Sequence, residues 1–399
     1  MKNNGLHTPD GFRDYLAREQ AFKRKIEDNL ERVFHRYAYA SLDTPTLEYM
    51  EVFADKGSVD PKQMYRFIDR DGEVLALRAD LTPAIARIAA TNFTPCHMPL
   101  RFCYVQNVFR YSPSYQGRLR ETTQAGIELI GASGDEADAE VLAVAIDALR
   151  TAGLEDFRID VGQVRFLQGM LEECRLAPSV CDMLRDRIIA RDFVAAEAVG
   201  KEHHAPQNMC RLLSNLPFFN GGPEIFEDAW KEAKNEKSRS ALSNLQNIHS
   251  VLKDYGFDKY VSFDLSMAGN MDYYTGIIFR GYTSGLGFSI LDGGRYDGLA
   301  GHFGVDFPSV GFIIKVHNLA DALEKQNCPA PFSEAEVLIA WSPEGRHSAL
   351  AAASGLRSQG LRCAHSFTGD VKANLQDAQR RGIPKVLYFD GSQEAGLKL

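Results

Sequence analysis

The segment that most constrains this fold is residues 100–131, LRFCYVQNVFRYSPSYQGRLRETTQAGIELIG. Residues 100–110 pattern as a strand, residues 111–120 form a polar loop, and residues 121–130 pattern as a second strand. That predicts an antiparallel pair joined by a long arginine-bearing loop. Successive strand side chains point to opposite faces, so Gln124, Gly126 and Glu128 share one face and Glu121 takes the other. An amide and a carboxylate on one face of a central strand are costly unless they line a wet pocket. A solvated face with ordinary ion pairs is the competing reading.

Residues 19–37 place Phe22, Ile26, Leu30, Val33, Phe34 and Tyr37 at helical spacing. Ala40 to Tyr49 reads as extended. Pro45 lies inside it and lacks an N–H, which puts the strand at an edge or an interface. Tyr65–Ile68 and Val74–Leu77 form a hairpin about Asp71-Gly72. Ala84 to Ala90 suits a short helix, with Thr82 as N-cap and Pro83 at its first position. A helix over 135–152 with Val141, Leu142, Ala145, Ile146 and Leu149 on one face precedes a strand at Phe157–Val161. Residues 165–256 read as a helical insertion broken by Gly221-Gly222-Pro223, and strands resume at 260–266, 273–281 and 286–291. Val310 to Glu324 passes from strand to helix. Beyond Pro329-Ala330-Pro331, strands at Val337–Trp341, Cys363–Phe367 and Val386–Phe389 alternate with helices from Ala349 and Val371. This is a small parallel α/β unit that stops after its third strand. The expected organisation is α+β, with one domain over 1–328 carrying the insertion and a second over 332–399.

The charge balance excludes some functions. With 45 Lys and Arg against 53 Asp and Glu, the net charge of −8 argues against nucleic-acid binding through phosphates. No apolar run is long enough for a membrane helix, and the first ten residues are too polar for a signal peptide. The seven cysteines are scattered, with no CxxC pair, as free thiols of a reducing cytoplasm would be. Cys96, His97 and Cys103 have metal-ligand chemistry but no fourth partner, so neither a metal nor a cofactor is expected.

Three further motifs carry chemistry. ALRADLT (76–82) sets Asp80 and Thr82 before a helix, where capping explains Thr82 fully and Asp80 partly. MDYYTGIIFRGY (271–282) puts Tyr273 and Tyr274 on a strand, so that only one faces a given pocket; aromatic sheet packing is the alternative. GGRYDGL (293–299) is a weak phosphate signal or a tight turn.

In order and spacing, these motifs resemble the catalytic domain of histidyl-tRNA synthetases, from GFRDYL (11–16) to about residue 325. The strand around Pro45 resembles class II motif 1, which builds a homodimer interface in that family, and residues 109–131 resemble motif 2. DYYTG and GGRYDGL resemble signatures of the histidine branch. The C-terminal unit resembles a truncated anticodon-binding domain. The resemblance implies an antiparallel sheet flanked by helices and a histidine pocket. Asp80, Thr82 and Gln124 match residues holding the α-ammonium, Glu128 and Tyr274 those near the imidazole, and Tyr273 and Arg110 also map to the pocket. Arg110 and Glu121 are the residual nucleotide contacts it implies. Chemically the set is coherent: a carboxylate pairs an ammonium, another accepts from an imidazole N–H, and an arginine holds a carboxylate.

Two departures change the expected activity. Where the synthetases read approximately LVRGLDYY, residues 267–274 are MAGNMDYY, so Gly269 stands for the arginine that promotes adenylation. Where they read approximately GFAIGLERL, residues 311–319 are GFIIKVHNL, with Asn318 for the ATP-gripping arginine and His317 for its neighbouring glutamate. Losing one such cation typically costs a factor of roughly 10² to 10³. A further departure is Asp80-Leu81 in place of the Glu-Gly of LRPEGT. A synthetase-like body with the pocket but not these arginines resembles the regulatory-subunit family of ATP phosphoribosyltransferase, as do RADLTPAIAR (78–87) and GRLRETTQAGIELIG (117–131). That resemblance implies a non-catalytic subunit with histidine as effector. It also implies a homodimer within a hetero-octamer with a short-form catalytic subunit. An active histidyl-tRNA synthetase is the alternative.

Overall fold

The computed structural model describes residues 6–54, 59–112, 118–267, 273–326, 334–391 and 394–398. Gly269 and the linker Pro329-Ala330-Pro331 lie outside the described residues. Two compact units emerge, Met1–Arg13 with Lys25–Cys328, and Asp14–Arg24 with Pro329–Leu399.

The strands in chain order are β1 (Ala40–Ser41), β2 (Leu47–Tyr49), β3 (Arg66–Ile68), β4 (Val74–Leu77), β5 (Leu100–Phe109), β6 (Glu121–Ile130), β7 (Arg158–Gln163), β8 (Asn220–Gly221), β9 (Val261–Asp264), β10 (Ile277–Tyr282), β11 (Leu291–Arg295), β12 (Ser309–Lys315), β13 (Val337–Trp341), β14 (Cys363–His365), β15 (Lys385–Phe389) and β16 (Glu394–Lys398). The first helices are α1 (Ala17–Arg36), α2 (Glu51–Ala54), α3 (Thr82–Asn92), which brings Thr82 to the site, and α4 (Asp135–Ala152). Helices spanning 164–254 form the insertion, Val316–Lys325 follows β12, and Arg346–Ser358 and Val371–Arg381 belong to the C-terminal unit.

Among the described residues the large sheet has the order β1-β5-β6-β12-β11-β10-β7-β9-β8. Its six central strands, β5 through β7 in that order, are all antiparallel, and β1 and β9 add in parallel at either end. Helix α4 buries Val141, Leu142, Ala145, Ile146 and Leu149, while Phe34 of α1 meets Phe312 edge-on at 5.9 Å. Burial of such side chains stabilises by roughly 1.5–3 kcal/mol each.

Several sequence expectations need revision. The extended segment 40–49 splits into β1 and β2, which belong to different sheets. Pro45 sits between them, and the bend is held by Arg78, whose Nη1 donates to the Thr44 carbonyl at 2.6 Å and whose N–H donates to the Thr46 carbonyl at 2.9 Å. Thr82 is not the N-cap of α3. It is the first helical residue, and Asp80 supplies the cap by accepting from the N–H groups of Leu81 (2.7 Å) and Thr82 (3.3 Å). The strand expected at 286–291 starts only at Leu291, because residues 283–290 turn the chain between β10 and β11. Consequently Gly293 and Gly294 lie within a strand, not in a tight turn. The C-terminal unit does not end at its third strand: β14, β13 and β15 are parallel as expected, and β16 adds antiparallel to β15. The hairpin of β3 and β4 forms as expected, with Gly72 at φ +91° in its turn.

Candidate functional site

The register of the central strands builds the floor of the site. Glu128 pairs with Gly311, Gly126 with Ile313, and Gln124 with Lys315; Gly311 and Ile313 in turn pair with Gly294 and Asp292. Cross-strand partners point to the same side. Three glycines keep this floor open. A Cβ on Gly311 would lie 2.4 Å from the Ile127 carbonyl oxygen and closer still to the Glu128 carboxylate. One on Gly294 would meet the Tyr274 ring at 2.6 Å, and one on Gly126 the Tyr104 hydroxyl at 2.7 Å. The glycine pair of GGRYDGL therefore serves close packing of aromatic rings.

Over this floor lies a cavity of about 390 Å³. All seven residues expected to hold histidine line it: Asp80, Thr82, Arg110, Gln124, Glu128, Tyr273 and Tyr274. The two tyrosines correct the expectation that only one faces the pocket. They precede β10 in a turn, where strand parity does not apply, and their rings meet edge-on at 4.8 Å. Glu121 is not in the cavity. Its carboxylate accepts from Asn107 Nδ2 at 2.8 Å on the other face of the sheet, as parity requires.

Glu128 is 1% exposed. Thr82 Oγ1 donates to it at 2.8 Å and the Tyr104 hydroxyl at 3.0 Å, and the Tyr296 hydroxyl donates to its other oxygen. Burial pushes its carboxyl up to about 7, against the pull of those three donors. Burial likewise raises Tyr104, Tyr273, Tyr274 and Tyr296, so all four remain neutral donors. Asp80 is tied to Arg110, whose Nη2 donates to it at 2.8 Å while Nε donates to the Ala79 carbonyl at 2.6 Å. Gln124 is 4% exposed, and its buried Oε1 has no hydrogen-bond partner among the described residues. An unpaired buried acceptor costs about 1–3 kcal/mol, so it favours any ligand that brings a donor.

More than half of the lining was not expected from the sequence. Tyr296 was inside a quoted motif but was not assigned a role. Arg280, Ser289, Asp292 and Lys315 also line the cavity. Arg280, Asp292 and Lys315 are single charges on the cavity face of β10, β11 and β12, a grouping visible only once the strand order is known. Asn318 is buried, and its Nδ2 donates to the Ser289 carbonyl at 2.7 Å, holding the loop before β11. Beside it, burial and the charge of Lys315 hold His317 down to about 4. Cys103 is not brought together with Cys96 and His97. It contacts Ser41 and the Tyr39 carbonyl, whereas Cys96 lies by Thr94 and His97. Among the described residues no group of three or more His, Cys, Asp or Glu side chains is placed to hold a metal, and no helix is long and apolar enough to cross a membrane.

Residues 11–319 match the family model of histidyl-tRNA synthetase. The chain is 39% identical over 384 residues to an ATP phosphoribosyltransferase regulatory subunit of Acetivibrio thermocellus, covering 96% of this chain and 92% of that one. A second regulatory subunit, from Thermoanaerobacter pseudethanolicus, is 40% identical over 355 residues, covering 89% of this chain and 93% of the relative. A crystal structure of an ATP phosphoribosyltransferase regulatory subunit/histidyl-tRNA synthetase from Bacillus halodurans superposes with a TM-score of 0.87 at 31% identity, covering 97% of this chain and 99% of that one. The fold, the motif order and the near full-length identity agree: this chain belongs to the family of ATP phosphoribosyltransferase regulatory subunits, on the class II histidyl-tRNA synthetase fold.

Proposed function

We propose that this chain is the non-catalytic regulatory subunit of an ATP phosphoribosyltransferase, the first step of histidine biosynthesis, and that free histidine binds its cavity as feedback inhibitor. The observation that carries this reading is the contrast inside one site. The pocket keeps a buried carboxylate ringed by hydroxyl donors and an unpartnered Gln124 oxygen. Meanwhile Asn318, where the synthetases grip ATP, makes a bond to the Ser289 carbonyl. Glu128 accepts from the imidazole N–H, and Gln124 Oε1 and Asp80 accept from the ammonium. No adenylation follows, because Asn318 carries no charge to stabilise a developing phosphate anion.

Regulation follows from linkage. Histidine binds more tightly to a state of the complex in which the short-form catalytic subunit is less active, with a coupling of about 1–3 kcal/mol. It shifts the equilibrium only through contacts that differ between the two states. The chain acts as a homodimer within a hetero-octamer in the cytoplasm, without nucleic acid. Register places Leu47, Tyr49 and Phe67 on one face of the β2-β4-β3 sheet, and all three are exposed, as an interface between copies requires.

Calorimetry on the isolated chain tests the pocket. Histidine binds the wild type, and Asp80→Ala and Glu128→Ala each weaken it by about tenfold or more while unfolding stays cooperative. No heat of binding at millimolar histidine sinks the assignment.

A further inference from the structure

The charges lining the cavity fall into two clusters of opposite net sign. One cluster holds Asp80 and Glu128, with Arg110 bound to Asp80. In the other, Lys315 and Arg280 flank Asp292: Lys315 Nζ is 2.5 Å from Asp292 Oδ2, and Arg280 Nε is 3.7 Å from Asp292 Oδ1. Two cations against one carboxylate leave that cluster net positive. With Glu128 ionised, two carboxylates against one guanidinium leave the first cluster net negative.

Lys315 is the cation best placed to meet a ligand. It is the register partner of Gln124, whose oxygen lacks a donor, so the two side chains stand beside each other on the cavity floor. Its ammonium has three N–H groups. Two have acceptors, Asp292 and the Ser289 hydroxyl at 2.8 Å, and the third has none among the described residues. Ser289 is itself fixed, because its carbonyl accepts from Asn318. The lysine is thus held at the end of a rigid polar cluster with one donor unsatisfied, half-buried at 30% exposure. Arg110 is less suited to a ligand anion, since its Nε and Nη2 are committed to the Ala79 carbonyl and to Asp80.

We propose that Lys315 is the carboxylate-binding residue of this cavity, so that the site selects a free α-amino acid over analogues lacking the carboxylate. An ammonium between Asp80 and Gln124 leaves its own carboxylate within a few ångströms, on the side of the neighbouring strand where Lys315 stands. This inference rests on the histidine reading above. It assigns the ligand's anionic end to a residue that Asp292 also holds in place.

The test measures binding of L-histidine and L-histidinol by calorimetry at pH 8. Histidinol keeps the imidazole and the amine and replaces the carboxylate by a hydroxymethyl group. The wild type prefers histidine by about 10- to 100-fold, the usual worth of a charge-assisted hydrogen bond. Lys315→Met abolishes that preference by weakening histidine while leaving histidinol within about twofold. Lys315→Arg retains it, which guards against a variant that merely disturbs the floor. If wild type binds histidine and Lys315→Met keeps the same preference, or loses both ligands equally, the role of Lys315 is overturned and the histidine site stands. If wild type binds neither ligand, the histidine reading falls and the lysine's role with it.

Discussion

Glu128 shows how a single buried group sets the chemistry of this pocket. Its folded value is raised to about 7 from the ordinary carboxylate range, chiefly by burial. The fold therefore holds its proton more tightly than the unfolded chain does. The stability this contributes is fully present below the unfolded value and is lost as pH rises to about 7. Glutamine has no such dependence. Thermal unfolding of Glu128→Gln without ligand should come closest to the wild type near pH 4, below the unfolded value, and exceed it at pH 8; a constant difference across that range contradicts the burial argument. The same variant should bind histidine less tightly at pH 8, because an amide accepts from an imidazole N–H more weakly than a carboxylate. Parity along β6 alone put Gln124 and Glu128 on one face, so this much was legible from sequence. The two tyrosines were misread because parity holds only inside a strand and they lie in the turn before one. Lys315 was not legible at all, since its pairing with Gln124 joins strands far apart in the chain.

At the scale of elements, the strand–loop–strand of residues 100–131 was readable because its alternation is strong and its register is fixed by two buried faces. The segment around Pro45 was half readable. Proline announced a disruption, but not that β1 and β2 would join different sheets. The glycine pair of β11 read as a weak phosphate signal or a tight turn, because sequence shows its flexibility and not the rings packed over it; Gly311 of β12, against the Glu128 carboxylate, drew no reading at all. Gly311→Ala should therefore destabilise the protein by roughly 1–3 kcal/mol in chemical denaturation, as overpacking does; a neutral result would mean that β12 yields easily. The apolar face of the β2-β4-β3 sheet makes a second prediction. If the proposed dimer forms through this face, Leu47→Asp with Tyr49→Asp should convert it to monomer in light scattering, with the circular dichroism spectrum kept. A dimer that survives both charges places the interface elsewhere.

For the molecule as a whole, the sequence motifs identified the fold because several of them, far apart in the chain, converge on one cavity. What they left open was whether losing the adenylation groups leaves a working sensor, since that depends on how the remaining side chains are satisfied. Among the described residues, the Gln124 oxygen has no partner and Lys315 has a donor to give, as the proposed sensor requires. Histidine-dependent ATP–pyrophosphate exchange by the isolated chain should be undetectable, and robust exchange would restore the synthetase reading. The most direct measurement is phosphoribosyl transfer by the short-form catalytic subunit, assayed with and without this chain over a range of histidine concentrations. Adding the wild-type chain should raise activity and make it inhibitable by histidine, and a chain carrying Glu128→Ala should raise activity while shifting inhibition to higher histidine. Activity indifferent to this chain, or inhibition unchanged by Glu128→Ala, would contradict the proposed function.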